Sequence, residues 1–217
     1  MGRWFCLNII NEREVSLVNP PSYESVLMTF NTAARNCYQS LNDTTDNIES
    51  AEALARKLIA IGHGSPIEMN SITFRFIGDR NFLGQLSRHR LLSLAVESAR
   101  YCNYSKGKFN HSVSFVRPLG VVTEEQEKIW KESCKKSEEY YFKLLEEGCS
   151  PETARSVLNS SLATHIIASA NIREWRHIIE MRCDKHAQMD IRSIMTKALK
   201  LLYEHYPVFF DDLFDRF

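Results

Sequence analysis

The sequence predicts an α+β fold, and three observations carry that expectation. Helical spacing dominates the chain, a few short runs alternate apolar and polar residues at the period of a strand, and those runs do not take regular turns with helices. A doubly wound sheet would need that regular alternation. The 217 residues are 44% hydrophobic, enough for one sizeable core, and no repeat, low-complexity tract or Pro/Gly/Ser linker divides them. One domain over residues 1–217 is expected.

The elements follow in order. "FCLNII" and "VSLV" read as extended segments that stop at Pro20 and Pro21, where a fixed φ and a missing N–H oppose further pairing. A helical stretch with Ala33, Ala34 and Arg35 comes next. Residues 47–61, "NIESAEALARKLIAI", keep helical spacing up to Gly62, and "GHGSP" reads as the loop that follows. "NSITFRFIG" alternates Ile72, Phe74 and Phe76 with polar neighbours, the mark of a half-buried strand closed by Gly78 and Asp79. Residues 81–98 read as mostly helical and residues 112–116 as a short strand.

Thr123 opens a long charged helix with Gln126 as its capping-box partner, and Gly148 ends it. Ser150 and Pro151 suit the N-cap and first position of a helix that carries Arg155. "NSSLATHIIASANI" fits a strand and a helix equally well. Residues 173–205 return to helical spacing, with a break near Cys183 and Asp184.

Twenty-seven basic residues against twenty-seven acidic ones leave a formal net charge of +0, so attraction to a nucleic-acid backbone has no global support. Any basic site is local. No apolar run approaches the ~18 residues of a membrane span. The start "MGRWFCLNIINERE" lacks the core of a signal peptide, and Cys6 stands where a myristoylation motif wants Ser or Thr. A cytoplasmic protein with no membrane or nucleic-acid partner is expected. The six cysteines include no C-x-x-C pair, which points to reduced thiols.

Two stretches concentrate the chemistry. In "SRHRLLSLAVESARYCNYS", Arg88, His89 and Arg90 would diverge by ~100° per step on a helix, so they would touch different things. Gln85 and Arg88, three apart, would share a helical face, and Ser98 with Arg100 would suit a phosphate. The plain alternative is a solvated basic face paired with Glu97. In "NIREWRHIIEMRCDKHAQMDIR", Arg182 and His186 lie four apart with His177 in the preceding turns. The histidines lack an H-E-x-x-H arrangement, so no metal is expected, and a satisfied, partly buried histidine is the plain alternative for His177 and His165.

His63, between Gly62 and Gly64, sits where backbone can approach a ligand closely. There is no G-x-S-x-G elbow, no activated cysteine context, no G-x-G-x-x-G and no G-x-x-x-x-G-K-[ST]. Any anionic ligand must therefore be held by arginines.

The pattern R-H-R, seven residues, then S, at Arg88 to Ser98, resembles the signature of the flavin-dependent thymidylate synthases. "GHGSPIE" at residues 62–68 resembles that family's G-H-x-[ST]-P-x-E loop, "RSVL" from Arg155 resembles its R-x-V-L-P segment, and "NIREWRHIIEMRCDKHAQMDIR" resembles its C-terminal block. Gln85 stands three residues before Arg88, as in the family pattern.

The resemblance implies a small antiparallel sheet flanked by helices, assembled as a homotetramer whose active sites take residues from more than one subunit. It implies conversion of dUMP to dTMP with 5,10-methylenetetrahydrofolate as carbon donor, NADPH as reductant and FAD as redox carrier. Carried over by position, His63, Ser65, Arg88, His89, Arg90, Asn171, Arg173, His177 and His186 would face the flavin. Gln85, Arg88, Ser98, Ala99 through its backbone, Arg100 and Arg155 would hold the nucleotide. Arg182 would contact the uracil and act as the catalytic group, favouring negative charge on the ring.

Some positions depart from the family pattern. Ala95 and Val96 stand where polar residues are usual, Met69 where histidine is common, His177 where asparagine is common, and Asn159 where proline is usual. Glu97, one position along, would point elsewhere on a helix. The apolar pair leaves three alternatives to dUMP methylation: another pyrimidine nucleotide, transfer of a hydroxymethyl group, and a non-catalytic nucleotide- or nucleic-acid-binding module.

Overall fold

A computed structural model describes residues 7–40 and 47–217. Among these the strands are β1 (Asn8–Ile10), β2 (Glu14–Leu17), β3 (Ser71–Asp79), β4 (Ser93–Val96), β5 (Ser114–Val116) and β6 (Ala163–Asn171). The helices are α1 (Tyr23–Cys37), α2 (Ile48–Ala60), α3 (Arg80–Leu86), α4 (Glu124–Glu146), α5 (Pro151–Ala154), α6 (Ile172–Cys183), α7 (Met189–His205) and α8 (Pro207–Phe214).

A four-stranded sheet has the order β2, β3, β6, β4. Ile172 N donates to Asn70 O at 3.2 Å and Thr73 Oγ1 donates to Ser169 Oγ at 2.9 Å, so one strand climbs as the other descends and β3 and β6 are antiparallel. The expected α+β fold with a small antiparallel sheet and flanking helices is the fold of this chain. One addition is a separate pair, in which β1 lies parallel to β5 with Asn8 opposite Ser114 and Ile10 opposite Val116.

The chain divides into two compact units, interleaved in sequence. The first takes residues 1–14, 76–88 and 95–166, and the second takes residues 15–75, 89–94 and 167–217.

In the first unit, α4 begins as its sequence requires. Thr123 Oγ1 accepts from Gln126 N, and Gln126 Oε1 accepts from Thr123 N, which completes the capping box. The helix ends at Gly148 with φ +87°, where Gly148 N and Cys149 N bond back to Leu145 O and Leu144 O. Its inner stripe of Cys134, Ser137, Glu138, Tyr141 and Phe142 recurs at helical spacing. This stripe packs with Tyr104, Val113, Phe115 and Leu162, each buried ring contributing roughly 1.5–3 kcal/mol. Buried Glu138 accepts from Val113 N at 2.7 Å, and desolvation raises its pKa.

In the second unit, the buried faces of α1, α2, α6, α7 and α8 form one helical core. Phe30 and Phe209 meet edge to face at 5.5 Å. Trp175, fully buried on α6, meets Phe74 at 4.9 Å and donates from Nε1 to Ile72 O at 2.8 Å. That contact fixes the rotation of the helix that carries Arg173, His177 and Arg182.

Two expectations need correction. Residues 81–98 are not mostly helical: α3 ends at Leu86 with Ser87 as its C-cap, and residues 93–96 are β4. "SLAV" alternates exposed and half-buried side chains, and just beyond it Glu97 N donates to His165 O at 2.8 Å. Pairing with a distant strand outweighs the weak local helical preference. "NSSLATHIIASANI" resolves to β6, whose buried and open positions largely alternate. Helical structure also continues past His205 into α8, which Pro207 opens at the first position.

The break near Cys183 separates α6 from α7 as expected. Cys37, Cys102, Cys134, Cys149 and Cys183 are free thiols, while Cys6 and the first part of "FCLNII" lie outside the described residues. Among the described residues, no helix is long and apolar enough to cross a membrane.

Candidate active site

In the second unit, the end of α2 aims His63. Gly62 takes φ +75°, Gly62 N bonds to Ile59 O at 3.0 Å and His63 N bonds to Leu58 O at 2.8 Å. This is a Schellman closure, and it needs the left-handed conformation that glycine adopts without strain. His63 Nδ1 lies 3.0 Å from Tyr38 Oη, with the two rings edge to face. Ser65 is exposed at the start of a 3₁₀ turn, Ser65–Glu68.

The bare backbone of Gly64 lets Arg173 lie close, since a Cβ there would come 2.9 Å from Arg173 Nε and displace that side chain. Arg173 is thereby brought against the loop backbone, and its Nη1 donates to Glu68 Oε1 at 2.5 Å. A cavity of 280 Å³ opens beside them, with Ile59 and Ile67 as apolar lining and Gly62, Gly64, Arg173, Arg176 and His177 around it. Arg176 is held by Asp212 through two bonds of 2.7 and 2.6 Å. Glu180 lines the cavity as well, and with Arg173 paired to Glu68 and Arg176 to Asp212 the edge carries both signs of charge.

α6 starts at Asn171, whose Oδ1 accepts from Glu174 N at 2.8 Å, so Asn171 is spent as an N-cap. Glu174 turns inward and its side chain is only 9% exposed. Its Oε1 lies 3.9 Å from Nδ1 of His89, itself 4% exposed. On the other edge of that imidazole, Nε2 accepts from Arg182 Nε at 2.9 Å. His177 meets the same ring edge to face at 5.8 Å.

Burial, then the charge of Arg182, then His177 push the pKa of His89 down to about 4, so the ring is neutral at pH 7. An imidazole nitrogen that accepts from a guanidinium carries no proton, so the proton of His89 sits on Nδ1, facing Glu174. Desolvation lowers the pKa of Arg182 as well, without discharging an arginine.

The structure brings Arg173 and His177 to one cavity, which Gly62 and Gly64 on either side of His63 also line, and joins His89 to Arg182. It does not put Arg182 and His186 on one helical face, because α6 stops at Cys183. His186 is exposed instead, and its Nδ1 and backbone N meet Asp184 Oδ1 at 2.7 and 2.8 Å. Arg90 is exposed.

The first unit holds the other expected set. Gln85 lies in the last turn of α3, which Asp79 caps by accepting from Phe82 N at 2.7 Å. Arg88 falls beyond the C-cap, so it is joined to Gln85 by a turn, Arg88 N to Gln85 O at 3.3 Å, and not by a shared helical face. Ser98 closes a turn through bonds to its carbonyl from Tyr101 N and Cys102 N. Ala99 buries its methyl in the core of the unit. Arg100 pairs through Nε with Glu152 Oε2 at 3.0 Å and lies over the Tyr101 ring, all near the surface. Arg155 is exposed at the start of a 3₁₀ turn directly after α5.

Ala95 is exposed and Val96 half-buried on β4, and Glu97 follows that strand, not a helix. Glu97 accepts from Tyr104 Oη at 3.0 Å through Oε1, and Oε2 faces His165, 3.4 Å from its backbone N and 3.9 Å from Nε2. Among the described residues, no three His, Cys, Asp or Glu side chains gather as a metal site.

Two participants, Tyr38 and Glu174, escaped the sequence reading, and Glu68 stood in the loop pattern without a role of its own. The spacing N-x-x-E from Asn171 marks a helix start. Nothing local marks the long-range partners of these three residues.

Fold and geometry together define an α+β protein in which arginines and histidines gather around one cavity and one buried imidazole. The family model described as "Thymidylate synthase complementing protein" matches residues 24–208. The chain belongs to this family, the flavin-dependent thymidylate synthases, and is an enzyme of that family. It is 31% identical over 186 residues to the flavin-dependent thymidylate synthase of Geobacter sulfurreducens, covering 83% of this chain and 78% of that protein. It is 29% identical over 197 residues to that of Mycolicibacterium vanbaalenii, covering 83% and 76%. Its fold matches the crystal structure of the UMP/dUMP methylase PolB from Streptomyces cacaoi bound with 5-Br dUMP, with a TM-score of 0.80 at 22% identity, covering 94% of this chain and 96% of that one.

Proposed function

We propose that this enzyme methylates dUMP to dTMP in the cytoplasm, with 5,10-methylenetetrahydrofolate as carbon donor, NADPH as reductant and FAD as redox carrier. The observation that carries the reading is Arg182, a guanidinium held at Nε by a buried neutral histidine. A fixed cation beside the pyrimidine favours the negative charge that develops as carbon five becomes nucleophilic. No protein nucleophile is needed, which agrees with cysteines such as Cys134 and Cys183, whose burial raises their pKa values.

The flavin would be held by His63, Ser65, Arg88, His89, Arg90, Asn171, Arg173, His177 and His186. His89, which is buried, and Asn171, which caps α6, would serve as the framework beneath the exposed members. When bound, FAD would supply the hydride carriage that turns a methylene into a methyl group. The nucleotide would be held by Gln85, Arg88, Ser98, the backbone of Ala99, Arg100 and Arg155, whose guanidinium forks suit a phosphate dianion. Nearly all of this set lies in the first unit and nearly all of the flavin set in the second. A homotetramer with shared active sites, each chain acting as one domain, is the assembly we propose.

A second reading, action on a further pyrimidine nucleotide such as UMP, is favoured by Ala95 and Val96 on β4, where no side chain donates to a ribose. The solved relative of the same fold is named for both UMP and dUMP. The deciding experiment incubates purified protein with FAD, NADPH, methylenetetrahydrofolate and either nucleotide. Tritium release from carbon five and product mass are read. Formation of dTMP is expected; a protein that neither takes up flavin nor forms a methylated product overturns the reading.

A further inference from the structure

We propose that Glu174 is a positioning residue for Arg182, acting through His89. The inference rests on the assignment of Arg182 to the pyrimidine. Its geometry is a line of three side chains on the second unit. Oε1 of Glu174 lies 3.9 Å from Nδ1 of His89, and Nε2 of His89 accepts from Nε of Arg182 at 2.9 Å. Glu174 stands in the first turn of α6 and Arg182 in the last. Eight residues of helix separate them by about 12 Å, so the carboxylate reaches the guanidinium only by way of the imidazole.

The direction of influence follows from the chemistry of a neutral histidine. It carries one proton, and its two tautomers present opposite faces to Arg182. With the proton on Nδ1, Nε2 offers a lone pair and locks the guanidinium. With the proton on Nε2, two N–H groups confront one another and the lock is lost. The groups that face the ring are Glu174, His177 and Arg182. Among them only Glu174 carries a negative charge, and it lies on the Nδ1 side. At 3.9 Å the contact exceeds hydrogen-bond length, so the carboxylate acts electrostatically on the tautomer and not through a direct bond.

A burial argument points the same way. An acidic residue in the first turn of a helix normally favours the dipole from the surface. Glu174 is instead 91% removed from solvent, which costs a carboxylate heavily unless a compensating interaction exists. Its own backbone N–H is already satisfied by Asn171, so capping does not require its side chain to turn inward.

The test uses the intact flavin-loaded enzyme labelled with ¹⁵N-histidine, in which seven histidines give a tractable spectrum. His89, assigned by comparison with His89→Gln, is expected as the Nδ1–H tautomer at pH 7. In Glu174→Leu the Nε2–H tautomer should become populated, and kcat should fall about tenfold while KM for dUMP stays within about twofold. Glu174→Gln keeps the shape but removes the charge, and should populate the Nε2–H tautomer and lower kcat to within about threefold of the leucine variant. Wild-type His89 found as Nε2–H or as imidazolium overturns the proposal even if the leucine variant does not fold. So does an unchanged tautomer and kcat in both variants. Retained dTMP formation in Arg182→Ala would instead break the functional assignment and leave the tautomer result standing.

Discussion

In the second unit Arg182 meets a buried imidazole that itself lies 3.9 Å from a buried carboxylate, whereas in the first unit Arg100 pairs with Glu152 at the surface and Arg155 stands exposed. Under the proposed assignments the contrast separates two tasks. A cation that must stabilise charge at one moment of a reaction gains from a fixed, desolvated position, because it pays little reorganisation when the charge appears. Cations that capture a phosphate dianion from water gain from reach and from a fork that can be reoriented. A surface partner such as Glu152 adds little stability and is readily exchanged for a ligand.

The largest break in this comparison comes from Arg182→Ala. Turnover should drop by at least about a thousandfold while flavin stays bound, read by dTMP formation beside the flavin absorbance spectrum. An equal loss on Arg100→Ala would erase the distinction between the two units.

Trp175→Ala should be the costliest change for the folded state, at about 3–5 kcal/mol, read from urea unfolding. It removes a fully buried indole, its edge-to-face contact with Phe74 and its bond to Ile72 O. Since Trp175 follows Glu174 directly on α6, a smaller cost would mean that the line from Glu174 to Arg182 is less rigid than its geometry states.

The pH dependence of the second unit should follow His89. Its folded pKa is depressed to about 4 from an ordinary 6.5, chiefly by burial. Between those values the unfolded chain binds a proton at this position and the folded chain does not, so stability falls as pH drops through that window and is flat above it. A loss of roughly 2 kcal/mol between pH 6.5 and 4 is expected from this group. His89→Asn should remove that component of the urea midpoint's pH dependence; an unchanged slope would assign it elsewhere.

How much of this was legible in the sequence depends on the range of each contact. Gly62, Gly148 and the pair Thr123 and Gln126 act within one turn, and they mark their helix ends correctly. The break after Cys183 was legible for the same reason. β4 was not, because "SLAV" is a strand only by virtue of pairing with β6. The candidate arginines and histidines were legible as a set through the family pattern, whereas their partners were not. Arg173 meets Glu68 across 105 residues and Arg182 meets His89 across 93, separations that no spacing rule bridges. The helical reading also misplaced His186, since i and i+4 share a face only where the helix continues.

The smallest expected effect, and the one that bears on substrate choice, lies at Val96 in the first unit. Glu97 does not replace the polar group missing there: Oε1 accepts from Tyr104 and Oε2 is directed at the backbone and ring of His165. Val96 is half-buried on β4, so a carboxylate placed there keeps partial access to water and, under the proposed assignment, could meet a sugar hydroxyl. Val96→Glu should tighten dUMP by about tenfold, the worth of one hydrogen bond to a charged group at about 1.4 kcal/mol. Titration calorimetry with dUMP and UMP in parallel reads both the gain and its dependence on the 2′-hydroxyl. A gain for dUMP alone would mean that the apolar pair relaxes discrimination between the two nucleotides. Equal gains would assign the new contact to a group the two sugars share, and no gain would mean that the first unit holds the ribose from another side.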